Sequence, residues 1–113
     1  MLNYIDFEVG GKAYKLRLNT RNIVLLEKQL GCNPLTVFGD GETVPTITAM
    51  VAILHASLQQ YNHGITQNDA YDIFDAYLDE GHSSVDFIPV IIDIYRASGI
   101  IPKDDSEAAE KNA

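Results

Sequence analysis

The sequence predicts an α+β domain that is mostly α: an N-terminal two-stranded β-hairpin packed on a bundle of about four helices. Three observations carry this reading. Residues 4–16 alternate apolar and polar side chains around a Gly-Gly pair. Residues 19–99 then hold stretches of helical periodicity, each opened by a capping residue and closed by a glycine. The last eleven residues contain no large apolar side chain, so the folded domain spans 1–102 and 103–113 reads as a disordered acidic tail.

Each element has its own signal. Ile5, Phe7 and Val9 alternate with Tyr4, Asp6 and Glu8, and Gly10-Gly11 supplies the positive φ angles of a two-residue turn. With that turn at the tip, Val9 pairs with Lys12, Phe7 with Tyr14, Ile5 with Leu16, and Asp6 with Lys15. Two strands alone are barely stable, so the Ile5/Phe7/Tyr14/Leu16 face must lie on helices. Asn19 or Thr20 caps a first helix that runs to about Leu30 on an Ile23, Leu26 and Leu30 stripe, and Gly31 ends it. Asn33-Pro34 opens a short turn through Phe38, and Gly39-Asp40-Gly41 is a loop. Thr46 caps a second helix with the stripe Ile47, Met50/Val51, Leu54, Leu58 and Tyr61, stopped by Gly64. Thr66 and Asp69 form a capping-box variant for a third helix to about Glu80, its inner face Ile73, Phe74, Tyr77 and Leu78. Ser83 or Ser84 starts the last helix, with Pro89 near its first turn, and Gly99 and Pro102 end it.

Charge narrows the function. The chain has 113 residues with 16 acidic and 8 basic ones, a formal net charge of −8. Nucleic acid and anionic membrane are therefore not expected partners, since both need a basic face. One cysteine closes no intramolecular disulfide, no apolar run approaches the ~20 residues of a membrane span, and the first residues lack a signal-peptide pattern. The expectation is a cytoplasmic protein. Residues 1–30 carry a net of +2, residues 31–102 a net of −8, and the tail a net of −2. This split favours pairing within the fold or between copies, as a weak homo-oligomer in which the basic hairpin end meets an acidic face.

No catalytic or cofactor signature is evident. His55 and His63 stand eight apart and His82 is remote, with no second cysteine and no metal-ligand spacing. Cys32 lacks a nearby basic residue that would activate it. Asp69, Asp72, Asp75, Asp79 and Glu80 crowd the third helix. Its apolar stripe makes them a solvated face, with a partner-docking face as the alternative. Leu35, Val37 and Phe38, and Ile100-Ile101 beyond Gly99, lie near breaks in regular structure and are candidates for an accessible apolar patch. Closure of the core by the same residues is the competing reading.

The chain as a whole carries a recognisable pattern. A hairpin F-E-V-G-G-K-A-Y-K-L-R-L runs into N-T-R-N-I-V-L-L-E-K-Q-L-G-C-N-P-L. Then come I-L-H-A-S-L-Q-Q-Y-N-H-G-I, Y-D-I-F-D-A-Y-L-D-E-G and I-I-D-I-Y-R-A-S-G. Over roughly residues 3–102 this resembles the small tail assembly chaperones of long-tailed bacteriophages and prophages of Gram-positive bacteria. The resemblance implies a non-enzymatic, cofactor-free protein of the bacterial host cytoplasm. It would bind the tape measure protein and help the major tail tube protein assemble around it. It also implies a longer product made by programmed frameshifting, for which a slippery A-AAA-AAC run in the codons of Glu110-Lys111-Asn112 is expected. A minor structural tail component and an acidic DNA-mimic inhibitor are the alternatives.

Overall fold

The computed structural model describes residues 3–38 and 44–102. Strand β1 (Ile5–Val9) and strand β2 (Lys12–Leu16) pair antiparallel in the expected register, Ile5 with Leu16, Asp6 with Lys15, Phe7 with Tyr14 and Val9 with Lys12. Gly10 and Gly11 turn the chain at φ 61° and 75°, a left-handed pair that side-chain-bearing residues resist. Helices α1 (Thr20–Leu30), α2 (Ile47–Leu58), α3 (Gln67–Asp79) and α4 (Phe87–Ser98) follow, with a 3-10 turn over Pro34–Phe38 between α1 and α2. The fold is α+β and mostly α.

α2 is the central helix. Residues 49–54 and 56–58 are all buried, and the helix touches α1, α3, α4 and β2. Surrounded on most sides, it is apolar nearly all round rather than on a single stripe. Phe7, Val9 and Leu16 from the hairpin, Leu26 from α1, Phe74 and Tyr77 from α3, and Phe87, Ile91 and Tyr95 from α4 complete the core. Backbone bonds fasten the hairpin's exit to both sides: Arg17 N–H donates to the Ser57 carbonyl and Leu18 N–H to Ser98 Oγ, each at 2.9 Å.

The helix ends follow local chemistry. Asn19 and Thr46 accept from the third residue beyond with their side chains, and Thr66 and Asp69 form a reciprocal capping box. Two boundaries differ from the sequence reading. α2 stops at Leu58, not at Gly64, because Gln59 Nε2 donates to both the His55 and Ile65 carbonyls and folds the chain back there. Tyr61, expected on the inner stripe, therefore lies beyond the helix and is 40% exposed, and Ile47, the first residue of α2 and also expected on that stripe, is 48% exposed. α4 starts at Phe87. Ser83 and Asp86 bond each other reciprocally and hold a turn ahead of the helix rather than its first turn. Gly39-Asp40-Gly41 and the 103–113 tail lie outside the described residues.

Candidate functional site

The two predicted apolar groups converge on one residue, Tyr95. Its hydroxyl donates to the Pro34 carbonyl at 2.9 Å, and Phe38 sits edge-on to its ring at 6.1 Å. Its carbonyl accepts from Ile100 N–H at 2.9 Å. Val37, Phe38, Ile100 and Ile101 are half-buried against the core and do not form a free patch. The reason is the Tyr95 anchor, which draws the 3-10 turn and the chain after α4 onto the helical body. Leu35 alone of the five is exposed, at 39%. Burial pushes the Tyr95 phenol well above its ordinary range, with the nearby Cys32 adding to the shift, so Tyr95 stays a neutral hydrogen-bond donor.

Beside this anchor lies a groove of about 460 Å³ between the end of α1, the 3-10 turn and the start of α2. Leu30, Val37, Val44 and Ala49 give it an apolar lining, while Gln29, Thr36, Thr46 and Thr48 add hydroxyl and amide groups. The exposed Cys32 also lines it. Val44, Ile47 and Leu35 leave 56%, 48% and 39% of their surface in solvent at this end of the molecule. The volume falls in the ~300–1,000 Å³ range of ligand-sized clefts. Of the groove's lining, the sequence reading singled out Val37 as a binding candidate. Thr46 carried a cap signal, but nothing in the linear pattern joins it or Val44 to Leu30, fourteen or more residues upstream.

The five carboxylates of α3 do not act as one face. Asp69 is held by its capping box, and the Thr66 backbone N–H, then the Thr66 hydroxyl, then Lys12 keep its carboxyl below the ordinary carboxylate range. Glu80 Oε2 accepts from Gly10 N–H at the hairpin tip at 2.9 Å. Both are thus turned to the hairpin of the same chain, where Lys12, Tyr14, His63, Asp69 and Asp72 line a cleft of about 390 Å³. Asp75 and Asp79 are fully on the solvent side, and Asp72 stands exposed at the edge. The complementary charge of the hairpin is therefore met at least in part within the fold.

The histidines are scattered. His55 is half-buried on α2, His63 is exposed beyond it, and His82 stacks on Tyr77 with ring centroids 4.2 Å apart and lies 3.9 Å from Asp86. Among the described residues no group of three His, Cys, Asp or Glu side chains is placed to hold a metal ion. No helix among them is long and apolar enough to cross a membrane. The model of a family of unknown function, DUF6096, matches residues 5–113. No curated protein and no solved structure matches the chain.

Proposed function

The chain belongs to the DUF6096 family, and we propose that it is a non-enzymatic tail assembly chaperone of a long-tailed bacteriophage or prophage. In this reading it works in the cytoplasm of the bacterial host. It binds the tape measure protein and holds it for assembly of the tail tube. The observation that supports the reading is the groove between α1, the 3-10 turn and α2. A long helical client offers apolar side chains at i, i+3, i+4 and i+7, and a cleft with an apolar lining accepts them as a helix-in-groove contact. Threonine hydroxyls and the Gln29 amide along the groove give a client backbone or polar side chain hydrogen-bonding partners.

The division of the α3 carboxylates disfavours the DNA mimic. Asp72 and Asp79 are seven rises apart, about 10.5 Å of helix with Asp75 between them, whereas duplex DNA carries one charge per ~1.7 Å. Co-expression with the tape measure protein of the same genome tests the proposal. The expected result is a soluble complex that co-purifies, where the tape measure protein alone aggregates. A client that stays insoluble and unbound in the presence of the chain overturns it.

A further inference from the structure

α1 turns a face to solvent that nothing among the described residues covers. At about 100° per residue, Asn22, Leu26 and Leu30 share the inner side. Arg21, Val24, Leu25 and Lys28 fall on the opposite side in a stripe about 100° wide. All four are exposed, Val24 by 42% and Leu25 by 55%. Among the described residues neither Arg21 nor Lys28 has an ion-pair partner, and Glu27, the one acidic residue of the helix, stands beside the stripe. The hairpin's cations are engaged otherwise. Lys15 Nζ lies 4.8 Å over the Tyr4 ring, Arg17 Nη1 donates to Gln60 Oε1 at 3.5 Å, and Lys12 helps to lower the pKa of Asp69.

The C-terminal end of α4 lies beside the start of α1. Leu18 N–H donates to Ser98 Oγ at 2.9 Å, which sets the last residue of α4 against the residue before the Asn19 cap. Ile100 and Ile101 then pack on the core, and the described chain stops at Pro102. Residues 103–113 hold four acidic side chains against two basic ones, and residues 107–110 read Glu-Ala-Ala-Glu. This is the counterpart of the cation, apolar, apolar, cation order of the α1 stripe. Arg21 and Lys28 are seven rises apart, about 10.5 Å. In an extended chain with three residues per turn and about 3.1 Å per residue, Glu107 and Glu110 share a side about 9 Å apart. At that rise they reach about 15 and 25 Å from Pro102, whereas α1 from Thr20 to Lys28 is about 12 Å long.

We propose that residues 107–110 dock back on α1 of the same chain, Glu107 at Arg21 and Glu110 at Lys28, with Ala108 and Ala109 beside Val24 and Leu25. Exposed ion pairs are individually weak. The tether makes this contact intramolecular, however, at an effective concentration of the order of millimolar. The docked state is therefore independent of protein concentration, sensitive to salt, and in exchange with the open one. While docked, the segment shields the apolar centre of the stripe, so an acidic partner for α1 has to displace it.

Cys32, the one cysteine of the chain, is exposed four residues beyond Lys28, and a nitroxide attached there tests the proposal by NMR of the full chain. At about 20 mM salt the amides of residues 107–110 should lose most of their intensity. At about 500 mM salt, where the screening length is several-fold shorter, they should recover it. Arg21→Glu with Lys28→Glu should restore the intensity at low salt with unchanged helical circular dichroism. Glu107→Gln with Glu110→Gln, which leaves every described residue as it is, should do the same. Adding Glu107→Lys and Glu110→Lys to the α1 variant should bring the broadening back. A mixture of nitroxide-bearing and isotope-labelled copies should show none. Full intensity in the nitroxide-bearing wild type at low salt overturns the proposal. So does broadening that survives high salt or either pair of substitutions, or a fourfold variant that stays sharp. Broadening between separate molecules also overturns it, because the segment would then lie on a second copy.

Discussion

The two ends of the molecule close their cores differently. At the hairpin end, Phe7, Phe74, Tyr77 and Phe87 make an aromatic cluster in which neighbouring ring centroids lie 5.3–6.2 Å apart, and the hairpin, α3 and α4 all supply it. At the opposite end one aromatic pair, Phe38 with Tyr95, holds a single 3-10 turn, and an open groove lies alongside. Large rings from three elements fill the interior at the hairpin end. A turn fastened at one point, with Leu35, Val44 and Ile47 in solvent around it, leaves apolar surface to offer. On the proposed function, the difference assigns stability to one region of this small fold and binding to another.

Breaking the closed end should cost the most. Phe87 is completely buried and touches three other rings, so Phe87→Ala should destabilise by about 3–5 kcal/mol, read by urea unfolding. A loss below about 1 kcal/mol would show that the cluster does not carry the fold. The groove end should answer more mildly. Tyr95→Phe removes the hydrogen bond to Pro34 and leaves a buried carbonyl without its partner, a loss of about 1–2 kcal/mol. Amide exchange should then quicken in the 3-10 turn more than in α3. Uniform quickening would deny that Tyr95 is a local anchor.

The Asp69 capping box sharpens the comparison through pH. Its folded-state pKa is lowered by the Thr66 bonds, so its contribution is present above the unfolded carboxylate value and is lost as pH falls through the folded value. The stability gap between wild type and Asp69→Ala should be full at neutral pH and should close as pH drops below about 4. A gap that stays constant down to about pH 2 would contradict the box as the cause.

Much of this was legible in the residues. Gly10-Gly11 with strict alternation leaves one register that keeps Phe7 and Leu16 on the same face, and Thr66 and Asp69 specify their helix start by spacing alone. α2 was legible as a helix but not in its length, because Gln59 ends it through bonds to His55 and Ile65 that no local propensity contains. The carboxylates of α3 looked uniform because periodicity alone does not say that the hairpin tip lies against Asp69 and Glu80. The groove was illegible for a further reason. It is made of ends of three elements and defined by what leaves Val44 and Leu30 uncovered, which is a property of assembly and not of any segment.

Val44 offers the most direct test of the claim that the groove end exists to bind. It is 56% exposed and lines the groove, so Val44→Asp should change stability by no more than about 0.5 kcal/mol. Titration of the tape measure protein against the wild type and this variant should give at least a tenfold weaker affinity for the variant, about 1.4 kcal/mol. Equal affinities in two equally stable proteins would contradict the account.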